Sequence, residues 1–161
     1  MSSLDESGSP VTCSGEEVTR IFLSGSIRGG RQMLPVYRHI YDFLESVGCN
    51  VVSWHVVDLD SDEEEAKMSE QEIYLRDIGL LEESDCMVAE VTVPSISVGY
   101  EVCRALGLGM PVLCVHSAGA NVSAMVLGNP NMQGRVREYA SLDDLEQILY
   151  EFAGALGDSN D

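Results

Sequence analysis

A chain of 161 residues with 45% hydrophobic side chains is long enough to close one domain around a core of its own, without disulfides or a structural metal. Its 27 acidic against 9 basic side chains give a formal charge of −18, which excludes a nucleic-acid polymer as partner, because such binders need a basic face that releases counterions. Five scattered cysteines with no Cys-x-x-Cys pair fit buried thiols in a reducing compartment better than a disulfide or zinc framework.

The first 18 residues are small, polar and acidic and read as a flexible N-terminal tail. Residues 155–161 read as a C-terminal tail, which leaves 19–154 as the domain. The opening stretch carries no apolar leader and no run approaches the ~18 residues of a membrane span, so a cytoplasmic or nuclear protein with no membrane partner is expected.

The apolar run Thr19–Ser24 predicts the first strand. It leads into Gly25-Ser26-Ile27-Arg28-Gly29-Gly30-Arg31. There the glycines let a ligand approach the backbone, Ser24 and Ser26 offer hydroxyls, and Arg28 and Arg31 offer charge. The segment is either a cradle for a small anion or a turn in which Gly29 and Gly30 serve only the backbone. It is neither Gly-x-Gly-x-x-Gly nor a phosphate loop ending in Gly-Lys-Ser/Thr, which argues against a nicotinamide cofactor or a triphosphate. Leu34–Val47 places Val36, Ile40, Phe43, Leu44 and Val47 on one helical face, and Gly48 ends it. Residues 49–57 predict the second strand, with Trp54-His55 where a dinucleotide site would carry an acid for the ribose.

Asp58, Asp60 and Asp62 have the early spacing of a calcium loop. Glu63 stands where that loop needs glycine and Ser69 where it needs glutamate, so the stretch reads as a solvated connection and no metal is expected. Ser69 to Glu72 is a capping box opening a helix through Leu81. Inside it, Asp77 either pairs with Arg76 or another neighbour, as helical aspartates usually do, or faces a second carboxylate if the helix ends at a ligand crevice. Residues 85–93 predict the third strand, stopped by Pro94. Ser95 and Ser97 then sit at a mouth, and Gly99 turns the chain into a helix over Val98–Leu108 with Glu101 in its first turn. The helix dipole would favour an ionised carboxylate there by roughly 0.3–1 kcal/mol. Glu101 is therefore expected to be charged and fit to act as a nucleophile, although first turns attract acids for that same reason. Residues 111–117 predict a fourth strand, 135–140 a weaker fifth, and Ser141–Asp144 the cap of a last helix.

Short apolar strands alternating with helices give an α/β domain, a doubly wound sheet of about five parallel strands. The crevice of such a sheet lies beyond the carboxyl ends of its strands. Glu101 and Asp77, brought together there, would suit glycosidic cleavage, in which one acid protonates a leaving group and one carboxylate meets an oxocarbenium-like centre.

In chain order, GSIRGGR, Asp77, AEVTVPSISVGYE and VSAM resemble the 2′-deoxynucleoside 5′-monophosphate N-glycosidases, relatives of the nucleoside 2-deoxyribosyltransferases, over about Ile21 to Glu151. The resemblance implies a homodimer of flavodoxin-like subunits that cleaves the bond between base and sugar in nucleoside 5′-monophosphates, with no metal or organic cofactor. It implies Glu101 as the nucleophile on the anomeric carbon and Asp77 as proton donor to the departing base. Gly25, Ser26, Ile27, Arg28, Gly29, Gly30 and Arg31, with Ser95, are implied as the phosphate grip, and His55 as a histidine lining the pocket. Ser123, Ala124 and Met125 are implied as the part that the neighbouring subunit contributes. A retaining mechanism would hold the two carboxyl groups about 5 Å apart and pass through a covalent sugar ester.

Two positions depart from the pattern. Phe22 stands where deoxynucleotide-specific members usually carry tyrosine, as it does in relatives acting on cytidine monophosphate, which opens ribonucleotides as substrates. Ser97 replaces a common glycine and either adds a hydroxyl to the phosphate site or tolerates the same backbone. Base exchange and nucleotide sensing without cleavage are the other activities these residues would allow.

Overall fold

The computed structural model describes residues 17–27 and 31–157. All but the last two residues of the expected N-terminal tail lie outside them. Residues 155–157, expected to begin a flexible tail, instead complete the final helix.

Five parallel strands form one sheet: β1 (Arg20–Ser24), β2 (Asn50–Val51), β3 (Cys86–Glu90), β4 (Val112–Ser117) and β5 (Val136–Tyr139). Their order is β2-β1-β3-β4-β5. Among the described residues six α-helices accompany them: α1 (Leu34–Ser46), α2 (Ser61–Glu65), α3 (Glu70–Glu82), α4 (Ile96–Gly107), α5 (Ala124–Leu127) and α6 (Leu142–Gly157). Strand order reverses at β1 and β3, the place where a doubly wound sheet opens its crevice.

Alternation along the strands divides the core into two layers. Ile21 and Leu23 of β1, with Cys86 and Val88 of β3, pack against Tyr37, Ile40 and Leu44 of α1 and Leu145 and Ile148 of α6. Phe22 of β1, with Met87 and Ala89 of β3, packs against Ile78 and Leu81 of α3 and Val98, Val102 and Ala105 of α4. Each fully enclosed leucine or isoleucine in these layers stabilises the fold by about 1.5–3 kcal/mol relative to exposure. Ser24 is two residues beyond Phe22, so it shares the face that receives α3 and α4.

Three of the differences from the sequence expectation have a clear local reason. The second strand ends at Val51 rather than continuing to 57, because the Ser53 side chain takes over the ladder. Its Oγ accepts the Leu23 N–H at 2.8 Å and donates to the Leu23 carbonyl at 2.7 Å. The backbone is thereby freed to turn into a 3₁₀ segment over Trp54–Val56. The acidic connection contains α2, with Asp62, Glu63 and Glu64 at its positive end. Helix α4 begins at Ile96, two residues early, because Ser95 caps it by accepting the Val98 N–H at 3.3 Å. Gly99 therefore lies inside the helix and makes no turn, and a Cβ there would meet nothing within 4 Å.

Candidate active site

Beyond the carboxyl ends of β1 and β3 lies a cavity of about 390 Å³, walled by α3 and α4. Glu101 reaches it from α4 and Asp77 from α3, so the two carboxylates meet at one cavity although 24 residues separate them in sequence. Phe22, Gly25, Ile27, His55, Ser95 and Ser97 also line it. Tyr74 and Tyr100 stand half-exposed on the same lining, their hydroxyls 3.1 Å apart.

Asp77 fulfils both alternatives that the sequence left open. Its Oδ1 accepts from Arg76 Nε at 2.8 Å while the residue faces the cavity. The same oxygen stands 3.3 Å from Nε2 of His55, a residue only 2% exposed. Arg76 is held in turn by Glu65, at 2.6 Å. The 3₁₀ segment released by Ser53 is what carries His55 to this position.

The expectation for Glu101 is corrected. It is the sixth residue of α4 and lies in the second turn, too deep for the dipole of the helix end to govern it. Burial pushes its carboxyl up to about 7. The hydroxyl of Ser24 works against that shift, and the charge of Asp77 adds to it. Burial thus favours the protonated form of Glu101 well beyond the usual carboxylate range.

Ser24, read in the sequence as a hydroxyl for an anion, instead donates to Oε2 of Glu101. Arg31 is also turned away. It does not line the cavity, and its guanidinium bonds Asp62 at 2.6 Å and Ser61 at 3.2 Å. Arg28, Gly29 and Gly30 lie outside the described residues. Ser26 is buried, and its backbone is clamped by a residue that sequence reading passed over, Tyr37. The Tyr37 hydroxyl accepts the Ser26 N–H at 3.0 Å and faces the Ser26 carbonyl at 3.3 Å. Burial first, and the nearby Glu90 charge second, raise the Tyr37 hydroxyl to about 12, so it keeps the proton that this clamp needs. A Cβ on Gly25 would stand 2.7 Å from the Tyr37 ring, which accounts for glycine there.

Ser123, Ala124 and Met125 do not border this cavity. Ser123 caps α5, and with Met125 it lines a second hollow of about 480 Å³ between α4 and α5. Ser95 borders both hollows. Among the described residues, no group of three or more His, Cys, Asp or Glu side chains is placed to hold a metal. No helix among them is long and apolar enough to cross a membrane.

The family profile described as nucleoside 2-deoxyribosyltransferase matches residues 21–148. A Methanosarcina mazei protein provisionally named 2′-deoxynucleoside 5′-phosphate N-hydrolase 1 is 57% identical over 143 residues, covering 89% of this chain and 89% of that protein. The mouse 5-hydroxymethyl-dUMP N-hydrolase is 38% identical over 151 residues, covering 91% of this chain and 83% of that protein. Among solved structures, the Clostridium botulinum CMP N-glycosidase BcmB superposes with a TM-score of 0.60 at 20% identity, covering 83% of this chain and 99% of that one. This last likeness concerns the fold.

Proposed function

The chain belongs to the nucleoside 2-deoxyribosyltransferase family, and within it we propose that the protein hydrolyses the N-glycosidic bond of nucleoside 5′-monophosphates, releasing free base and sugar 5-phosphate. The observation that carries this reading is the meeting of Glu101 and Asp77 at one cavity beside the Gly25–Ile27 loop. The names of the relatives, N-hydrolases of 2′-deoxynucleoside 5′-phosphates and of 5-hydroxymethyl-dUMP, support the substrate class.

In this reading the ionised carboxylate of Glu101 attacks the anomeric carbon as the bond to the base breaks. A carboxylate whose conjugate acid titrates near neutrality is a stronger base and nucleophile than an ordinary exposed one. Asp77 serves the departing base. Arg76 and His55 both bear on its Oδ1 and fix its direction into the cavity, and the water that later opens the ester returns a proton to the same carboxyl.

The phosphate belongs at the mouth of α4. Ser95 caps that helix as an acceptor, which leaves its own hydroxyl proton for an anion. The first N–H groups of α4 add partial positive charge. Arg28, which follows Ile27 in the sequence, is assigned the full charge. Arg31 is assigned a supporting role, tying the loop to α2 through Asp62.

The assembly in this reading is a homodimer. Ile96, on the rim of the cavity, is 94% exposed and Met125, on the second hollow, is 83% exposed, and Ser123–Met125 of one subunit would complete the cavity of the other. No cofactor enters the scheme. Base exchange is the second reading, favoured by the family's own description as a transferase.

Incubation with a panel of ribo- and deoxyribonucleoside 5′-monophosphates, each with and without a second free base, separates these readings by chromatography. Free base and sugar phosphate are expected. New nucleotide in place of sugar phosphate would favour exchange, and intact nucleotide throughout would overturn cleavage altogether.

A further inference from the structure

The hydrogen bond from Ser24 to Glu101 joins the end of β1 to the second turn of α4. Ser24 is 2% exposed and borders the cavity. The fold does not call for a hydroxyl at this point. In the β1–β3 register Ser24 lies opposite Ala89, its neighbour on the same face is Phe22, and both are buried apolar residues. An alanine would fill the position as well as Ala89 fills its own.

Several other polar groups that line the cavity or stand behind it are committed elsewhere. Asp77 of α3 opposes Glu101 with like charge, Arg76 and His55 address Asp77, Glu65 addresses Arg76, and the hydroxyls of Tyr74 and Tyr100 meet each other. Among the described residues, Ser24 is the side-chain donor to the Glu101 carboxylate.

We propose that Ser24 is a positioning residue for the nucleophile: its hydroxyl holds Oε2 of Glu101, presents Oε1 to the sugar, and favours the carboxylate at each stage where Glu101 is free. This rests on the reading of Glu101 as the attacking group. In the first half-reaction the C1′–Oε1 bond forms as the C1′–N bond breaks. The electron pair of the broken bond goes to the base, which takes a proton from Asp77, the carboxyl that carries the pair's proton in this step while Glu101 is ionised. Oε2 is then the ester carbonyl oxygen and still accepts from Ser24. In the second half a water oxygen bonds C1′, the C1′–Oε1 pair returns to Glu101, and the released proton goes to Asp77. A donor bonds a carboxylate more strongly than a neutral ester carbonyl. Ser24 therefore assists the second half most, where carboxylate is the leaving group.

The test reads the carboxyl group and the reaction separately. Protein carrying ¹³C-carboxyl glutamate is titrated without ligand as wild type, Ser24→Ala and Ser24→Thr, the Glu101 signal being identified by its loss in Glu101→Gln. A hydrogen bond to a charged group carries roughly tenfold or more in equilibrium. The Glu101 titration should thus move up by about one pH unit in Ser24→Ala and stay near wild type in Ser24→Thr, which keeps the hydroxyl. In parallel, kcat at high pH should fall roughly tenfold to a hundredfold in Ser24→Ala, its acid limb should move with the titration, and Ser24→Thr should restore both. A Glu101 titration and an acid limb unmoved in Ser24→Ala would overturn the proposal. If wild type cleaves no nucleotide, the proposed activity fails on its own, while the titration still decides whether Ser24 governs the charge of Glu101.

Discussion

Nε2 of His55, a buried residue of the 3₁₀ segment, stands 3.3 Å from Oδ1 of Asp77 on α3. Burial lowers the His55 pKa and the charge of Asp77 works against it. Its Nδ1 is buried without a hydrogen-bond partner. A neutral ring with its proton on Nε2 turns that N–H side toward Asp77 and leaves only an acceptor, Nδ1, enclosed without a partner. His55→Ala should therefore lower kcat roughly tenfold to a hundredfold by loosening the carboxyl that this contact positions, with little change in KM. Asp77→Asn, which removes the acid itself, should cost roughly 10²–10⁴. Steady-state kinetics at saturating nucleotide measures both, and equal, small losses would remove the pair from the reaction.

Glu101 also sets a pH dependence of stability. Its folded-state pKa of about 7 lies above the 4.5 of an ordinary glutamate. Between those values the folded protein binds the extra proton, so stability falls as pH rises from about 4.5 to 7 and then levels off. The shift corresponds to at most about 3 kcal/mol, since the cavity opens to solvent. Glu101→Gln should therefore match wild type in thermal unfolding near pH 4.5 and exceed it at pH 8. Activity should rise with pH along a limb centred near 7, where an ordinary exposed glutamate would place it near 4.5.

Gly25→Ala drives a methyl group into the Tyr37 ring and should destabilise the protein by about 1–3 kcal/mol. Tyr37→Phe keeps the ring and removes the hydroxyl that clamps Ser26, at a cost of about 0.5–1.5 kcal/mol. KM should rise more for monophosphates than for the corresponding nucleosides in Tyr37→Phe. An equal rise for both would dissociate the clamp from phosphate binding.

Phe22 is buried at the cavity edge with no hydroxyl to offer the sugar. Phe22→Tyr introduces one, and should shift the ratio of catalytic efficiencies from ribo- toward deoxyribonucleotides. Paired measurements on one base in both sugar forms test this, and an unchanged ratio would exclude Phe22 as a determinant.

The alternation of strand and helix was legible because parallel strands buried on both faces read as apolar runs, and serines and glycines punctuate the helices. Sequence reading also pointed to the loops at the carboxyl ends of the strands. What escaped it were effects of packing. Ser24 and Glu101 are 77 residues apart, so nothing local in IFLS identifies the serine's partner, although its place on the face of Phe22 points it toward the α4 side. Burial of Glu101 reverses the shift that helix position alone would give. Ser53 ends the second strand with a side chain that imitates backbone, which no hydrophobic pattern registers. Tyr37 has the helical spacing of Ile40 and Leu44, and its hydroxyl at one end of that apolar stripe was the signal available.

The central claim is that Glu101 bonds covalently to the sugar during turnover. Rapid acid quenching of the protein mixed with its best nucleotide substrate, followed by peptide mass mapping, measures this directly. A sugar-phosphate mass on the peptide containing Glu101, absent from Glu101→Gln, is the predicted result. Full base release with no adduct, retained in Glu101→Gln, would contradict it.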